Sequence, residues 1–107
     1  MEKEPYFLTL LSEMKERFYQ RKEFYELASK YGDAPYLVGR MKARGEIVEL
    51  LGWQYFAKKD FFERFTLELE KKEPEEMESM LRDKGVTEED LPNMMAFFRG
   101  YFGIENR

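Results

Sequence analysis

Four carboxylates, Glu46, Glu49, Asp60 and Glu63, fall in two pairs, each spaced three residues apart. Pairs of this kind on neighbouring helical segments can hold magnesium between them, and the held ion can activate water to hydrolyse a nucleotide. Two arginines form a second constellation. Arg21 and Arg44 each interrupt a stripe of apolar residues at helical spacing, where a charge needs an anion. Either a carboxylate of the same chain pairs with each guanidinium and fixes the register of the fold, or both arginines grip a phosphate or carboxylate ligand bidentately in a shared pocket. With 22 acidic residues in the chain, the internal ion pair is the nearer reading.

The paired acids superficially resemble the pattern of the all-α nucleotide pyrophosphohydrolases, in which two acid-rich helices hold the metal. The Glu-Glu opening of that pattern is missing, and the second pair has Asp before Glu. The resemblance identifies no family and leaves a carboxylate-magnesium nucleotide hydrolase as the last of three readings. Other chemistry is narrowed further, because 107 residues include neither cysteine nor histidine. Disulfide scaffolds, thiolate and imidazole metal sites, Cys nucleophiles and triads with a His base are excluded. The expectation is a chain with no catalytic residue, no metal site and no cofactor.

Binding surfaces are more prominent. Glu68, Glu70, Glu73, Glu75, Glu76 and Glu78 crowd into eleven residues, and residues 60–90 hold twelve acids against five bases. Such a run is either a solvated helical face or a negative surface for a basic partner. The preceding stretch, 32–59, has five bases against three acids. Its Arg40, Lys42 and Arg44, with Lys58, Lys59 and Arg64, could contact phosphates, while Tyr36, Trp53, Tyr55 and Phe56 could stack on bases. A net charge of -4, a pI near 5.0 and the lack of a readable helix-turn-helix, zinc-finger or RNA-recognition signature weigh against nucleic acid. Ten Phe, seven Tyr and one Trp are many for one core, and adjacent pairs such as Phe18-Tyr19 and Phe24-Tyr25 cannot both face its centre from one helix. Phe18, Tyr19, Phe24, Tyr25 and Trp53 are therefore interface candidates, with seven methionines as adaptable neighbours.

The elements that must carry these residues read as helical. Val, Ile and Thr number only eight, while Glu, Lys, Leu, Met and Arg abound. A first helix is expected from Pro5 to Tyr31, with Phe7, Leu11, Met14, Phe18, Tyr25 and Ala28 as its stripe and Gly32 as its cap. A second opens at the N-cap Asp33, with Leu37, Met41, Val48, Leu51 and Tyr55 inward. Gly39, Gly45 and Gly52 offer places for it to kink or break, and Gly45 and Gly52 could let another helix approach closely. Further helices are expected over 60–72, over 74–84 and from the N-cap Thr87 onward, where Val86 and Leu91 can form a hydrophobic staple and Pro92 can kink the first turn. The fold class predicted is all-α, a single-domain bundle of four or five helices over residues 1–107 without repeats or linkers.

Leu, Ile, Val and Phe make up 26 of the residues, enough to fold. No run free of charge exceeds eight residues, and Met1 to Pro5 lacks the apolar stretch of a signal peptide, so a cytoplasmic protein without a membrane contact is expected. The reading that follows is a small non-catalytic protein-protein interaction module (a regulator, adaptor or inhibitor) that uses an aromatic helix face or the acidic surface and self-associates, as a dimer. Nucleic-acid binding through residues 36–64 is the first alternative.

Overall fold

A computed structural model describes the backbone of residues 3–103 and the side chains of residues 8–102. The elements run α1 (Lys3–Glu13), β1 (Tyr19–Gln20), α2 (Arg21–Ser29), α3 (Ala34–Ala43), β2 (Ile47–Leu50), β3 (Tyr55–Lys58), α4 (Lys59–Glu70), α5 (Pro74–Asp83) and α6 (Leu91–Gly103). Helix accounts for 62% of the chain, but the three strands form an antiparallel sheet in the order β1-β3-β2. The class is thus α+β rather than all-α. The expected stripe position Phe7, together with Met1 and Glu2, lies outside the described side chains.

Two long helices of the expectation are broken, the first by tertiary contacts and the second by a local stop. Lys15-Glu16-Arg17 contains no local helix breaker, yet α1 ends at Glu13 and the chain turns to lay β1 against β3. The break is held from outside: Phe18 N–H donates to Lys84 O at 2.8 Å, Lys15 N–H to the Tyr19 hydroxyl at 2.7 Å, and Arg21 N–H to Gln54 O at 2.9 Å. The second break is local. At the end of α3, Gly45 has a φ of 76°, a left-handed conformation that glycine adopts without strain. Its N–H donates to Lys42 O at 3.0 Å while Glu46 N–H donates to Met41 O at 3.0 Å, the paired bonds of a Schellman stop. The chain then forms the β2–β3 hairpin, paired from Ile47↔Lys58 to Leu50↔Tyr55. Its tip, residues 51–54, runs through positive φ at Leu51, Gly52 and Trp53. Gly45 and Gly52 therefore bracket a hairpin strand instead of lining a helix for close packing.

The sheet separates two cores because successive side chains of a strand point to opposite faces. Tyr19, Ile47 and Phe56 join Leu10, Phe24, Ala28, Leu37, Val38 and Met41 from α1–α3 and Met14 just after α1. Phe18, Leu50, Tyr55 and Ala57 face the other way, into Phe61, Phe65, Leu69, Met77, Leu81, Met94 and Phe98 of α4–α6. The later helices follow the sequence more closely. Asp33 caps α3, its Oδ2 accepting from Tyr36 N–H at 3.2 Å, and Pro74 opens α5. Pro92 lies in the first turn of α6, where its missing N–H is harmless. At the end of α5, a Cβ on Gly85 would lie 2.6 Å from Phe18 O, so the β1 approach requires glycine there.

One polar knot joins the sheet to the second helical layer. The buried Tyr55 hydroxyl donates to Asp90 Oδ2 at 2.7 Å and accepts from Thr87 N–H at 3.2 Å, and Thr87 Oγ1 donates to the same carboxylate oxygen at 2.9 Å. Burial is the main reason the Tyr55 phenol titrates above its usual range, with the neighbouring Asp90 pushing the same way.

Candidate nucleic-acid interface

α2 and α3 are joined by four residues, 30–33, at the junction that Gly32 and the N-cap Asp33 mark in the sequence. Phe24 and Ala28 of α2 pack in the same core as Ala34, Leu37, Val38 and Met41 of α3. That buries one face of α3 and turns Pro35, Tyr36, Gly39, Arg40, Lys42 and Ala43 to solvent. No acid interrupts the chain from Ala34 to Gly45. Along the exposed face Arg40 Nη1 donates to the Tyr36 hydroxyl at 3.0 Å, with the guanidinium 5.8 Å from the Tyr36 ring centre.

The hairpin lies against the end of this helix. Lys42 Nζ is 5.6 Å from the Trp53 ring centre, and Trp53, 36% exposed, sets its edge on Phe56 at 5.4 Å. Glu49 accepts Trp53 N–H at 2.8 Å and so holds the tip. At the other end of the tip, Gln54 borders a shallow pocket of about 220 Å³ with Gln20, Arg21 and Lys22 at the start of α2 and with Tyr55 and Asp90 of the polar knot. Cations thus flank the hairpin tip on both sides, with an aromatic ring between them. Over residues 15–59, which include these elements, ten bases stand against six acids.

The other expected site residues are distributed differently. Arg21 and Arg44 are both exposed, because the stripes that they were expected to interrupt are divided between separate elements. Arg44 is the C-cap of α3 and its Nε pairs with Glu46 Oε2 at 3.1 Å; the Arg21 guanidinium sits 5.9 Å from the Tyr25 ring centre. Among the aromatic interface candidates, Phe18, Tyr19 and Phe24 are core residues, Tyr25 is half-buried, and Trp53 is exposed. Two cores, one on each face of the sheet, take up most of the described aromatic rings and leave Tyr36, Trp53 and Tyr101 exposed. Glu68, Glu70, Glu73, Glu75, Glu76 and Glu78 are all exposed, at the end of α4, in its link to α5 and on α5, the layer across the sheet from α3.

The two carboxylate pairs do not sit on neighbouring helices. Glu46 precedes β2 and Glu49 lies within it, while Asp60 and Glu63 are on α4. Among the described residues, no group of three acids could hold a metal ion, and no helix is long and apolar enough to cross a membrane. Two signals could have exposed the hairpin: a glycine just after the basic last turn of a helix, and Gly52-Trp53 between 47–51, apolar but for Glu49, and the apolar run 55–57. Comparison with protein-family models, with curated proteins and with solved structures finds no match.

Proposed function

We propose that the chain binds double-stranded DNA, with α3 in the major groove and the hairpin tip against the flanking backbone. The supporting observation is the exposed, acid-free face of α3, packed on α2 through its other face and continued by a hairpin whose Trp53 meets Lys42. In this geometry the second helix reads base edges with its N-terminal residues and the cations beside it meet phosphates. Tyr36 and Arg40, one turn apart on the outer face, are the base-reading candidates; Lys42 and the Arg21-Lys22 pair are phosphate contacts. The overall charge of -4 is compatible with this, since residues 60–90 carry the acidic excess on the opposite side of the sheet.

The test is fluorescence anisotropy with a 20-base-pair duplex pool between 50 and 200 mM salt. About three phosphate contacts give a slope of log K against log salt near -3, and Lys42→Ala should reduce its magnitude by about one. Because Lys42 is exposed, the variant keeps the fold. A salt-independent affinity, an unchanged slope in Lys42→Ala, or tighter binding to an RNA hairpin than to the duplex would sink the proposal.

A further inference from the structure

A second surface lies on the far side of the sheet, independent of any role in nucleic-acid binding. α4 and the C-terminal end of α6 enclose an open cleft of about 390 Å³, lined by Glu63, Thr66, Leu67, Glu70, Tyr101 and Phe102. Large apolar side chains remain exposed at it: Leu67 by 64% and Tyr101 by 53%. Tyr101 stacks on Phe97 with centres 6.0 Å apart, continuing the apolar surface along α6, which has Arg99 as its single charged residue between Leu91 and Gly103. A helix this poor in charge is ordinarily covered. Thr66 at the floor already donates its hydroxyl to Phe62 O at 2.6 Å. What the cleft offers an occupant is therefore apolar contact with carboxylates at its edge.

Those carboxylates select the occupant. Glu63 and Glu70 stand one helical turn to either side of Leu67 on the exposed face of α4. A nucleic acid is repelled there. A second copy of the chain is also disfavoured, because a two-fold interface across the cleft brings the same carboxylates of both copies together. We infer that this cleft docks an amphipathic helix of another protein, with a large apolar anchor over Leu67 and Tyr101 and Lys or Arg residues facing Glu63 and Glu70. This is the helix-in-groove mode of recognition, in which anchors at i and i+4 fill the cleft and flanking charges set the partner.

The experiment is an NMR titration of the full chain with a synthetic 14-residue helix carrying leucines on one face and lysines beside them, against the same peptide with glutamates replacing the lysines. The lysine peptide should shift the amides of Thr66, Leu67, Tyr101 and Phe102 and saturate, and the glutamate peptide should not bind. Glu63→Gln with Glu70→Gln should weaken the lysine peptide about fivefold, a value in the range of two exposed charge pairs. Leu67→Asp, a change at an exposed position, should abolish binding with the fold intact. Equal binding of both peptides overturns the inference, as do shifts confined to Glu75, Glu76 and Glu78. So does a dimer of the wild type that Leu67→Asp converts to a monomer, which would make a second copy the occupant.

Discussion

Removing one oxygen from the Tyr55 side chain tests whether the two helical layers are joined through the sheet. In Tyr55→Phe the ring still fills its buried site, but Asp90 Oδ2 loses its 2.7 Å donor and Thr87 N–H loses its acceptor at 3.2 Å. A hydrogen bond to a charged acceptor contributes about 1.5–3 kcal/mol, and with the remaining Thr87-Asp90 contact intact we expect a loss of about 2 kcal/mol. For a domain of about this length that corresponds to a fall in Tm of roughly 8 °C, read by circular dichroism at pH 7. The pH dependence gives an independent check. The folded phenol titrates above the unfolded one, so its contribution is fully present below pH about 10 and is lost as the pH rises through the folded value. The stability difference between wild type and Tyr55→Phe should shrink in that alkaline window. A Tm within about 2 °C of wild type, or a difference that stays constant to the alkaline limit, would refute the coupling.

Three further outcomes follow from the placement of single residues. Phe18 meets Phe61 and Phe65 edge to face at 5.4 and 5.5 Å, so Phe18→Ala should cost about 3–5 kcal/mol in a urea titration, whereas Trp53→Ala at the hairpin tip should cost less in the same titration while weakening the proposed binding to DNA. Loss of the Asp33 cap in Asp33→Ala should lower stability by about 1 kcal/mol by the same method, with the α3 amides near Tyr36 exchanging faster.

The punctuation in the chain was readable where it acts locally. Asp33 before Ala-Pro and Thr87 three residues before Asp90 announce their own hydrogen bonds, Pro74 marks the first turn of α5, and the 3.6-residue spacing supplies the rest of α4 to α6. The hairpin escaped because Val48, Leu51 and Tyr55 happen to keep helical intervals as well, so that a four-residue strand, a tip and a second strand imitate one apolar stripe. The β1 segment carried no local signal: Arg21 and Phe18 on either side of it bond to Gln54 and Lys84, 33 and 66 residues further along the chain. The candidate interface suffered from the same error. Arg44 reads as a buried charge only if α3 continues beyond Ala43, and because the helix stops there it is one of the surface cations beside Lys42.

The strand order has a further effect, on self-association through backbone pairing. β3, with hydrogen-bonded neighbours on both sides, presents no open edge. The sheet ends instead in β1, two residues long, and β2, four residues long with Glu49 in its middle and a left-handed tip at its end. Short, charged or sharply twisted edges give an incoming strand too few pairing sites to extend the sheet. The aromatic strand that would be the most adhesive, Tyr55-Phe56-Ala57, is therefore the one sealed between two poor templates, and the protein can hold an apolar ribbon in its interior without inviting fibrils.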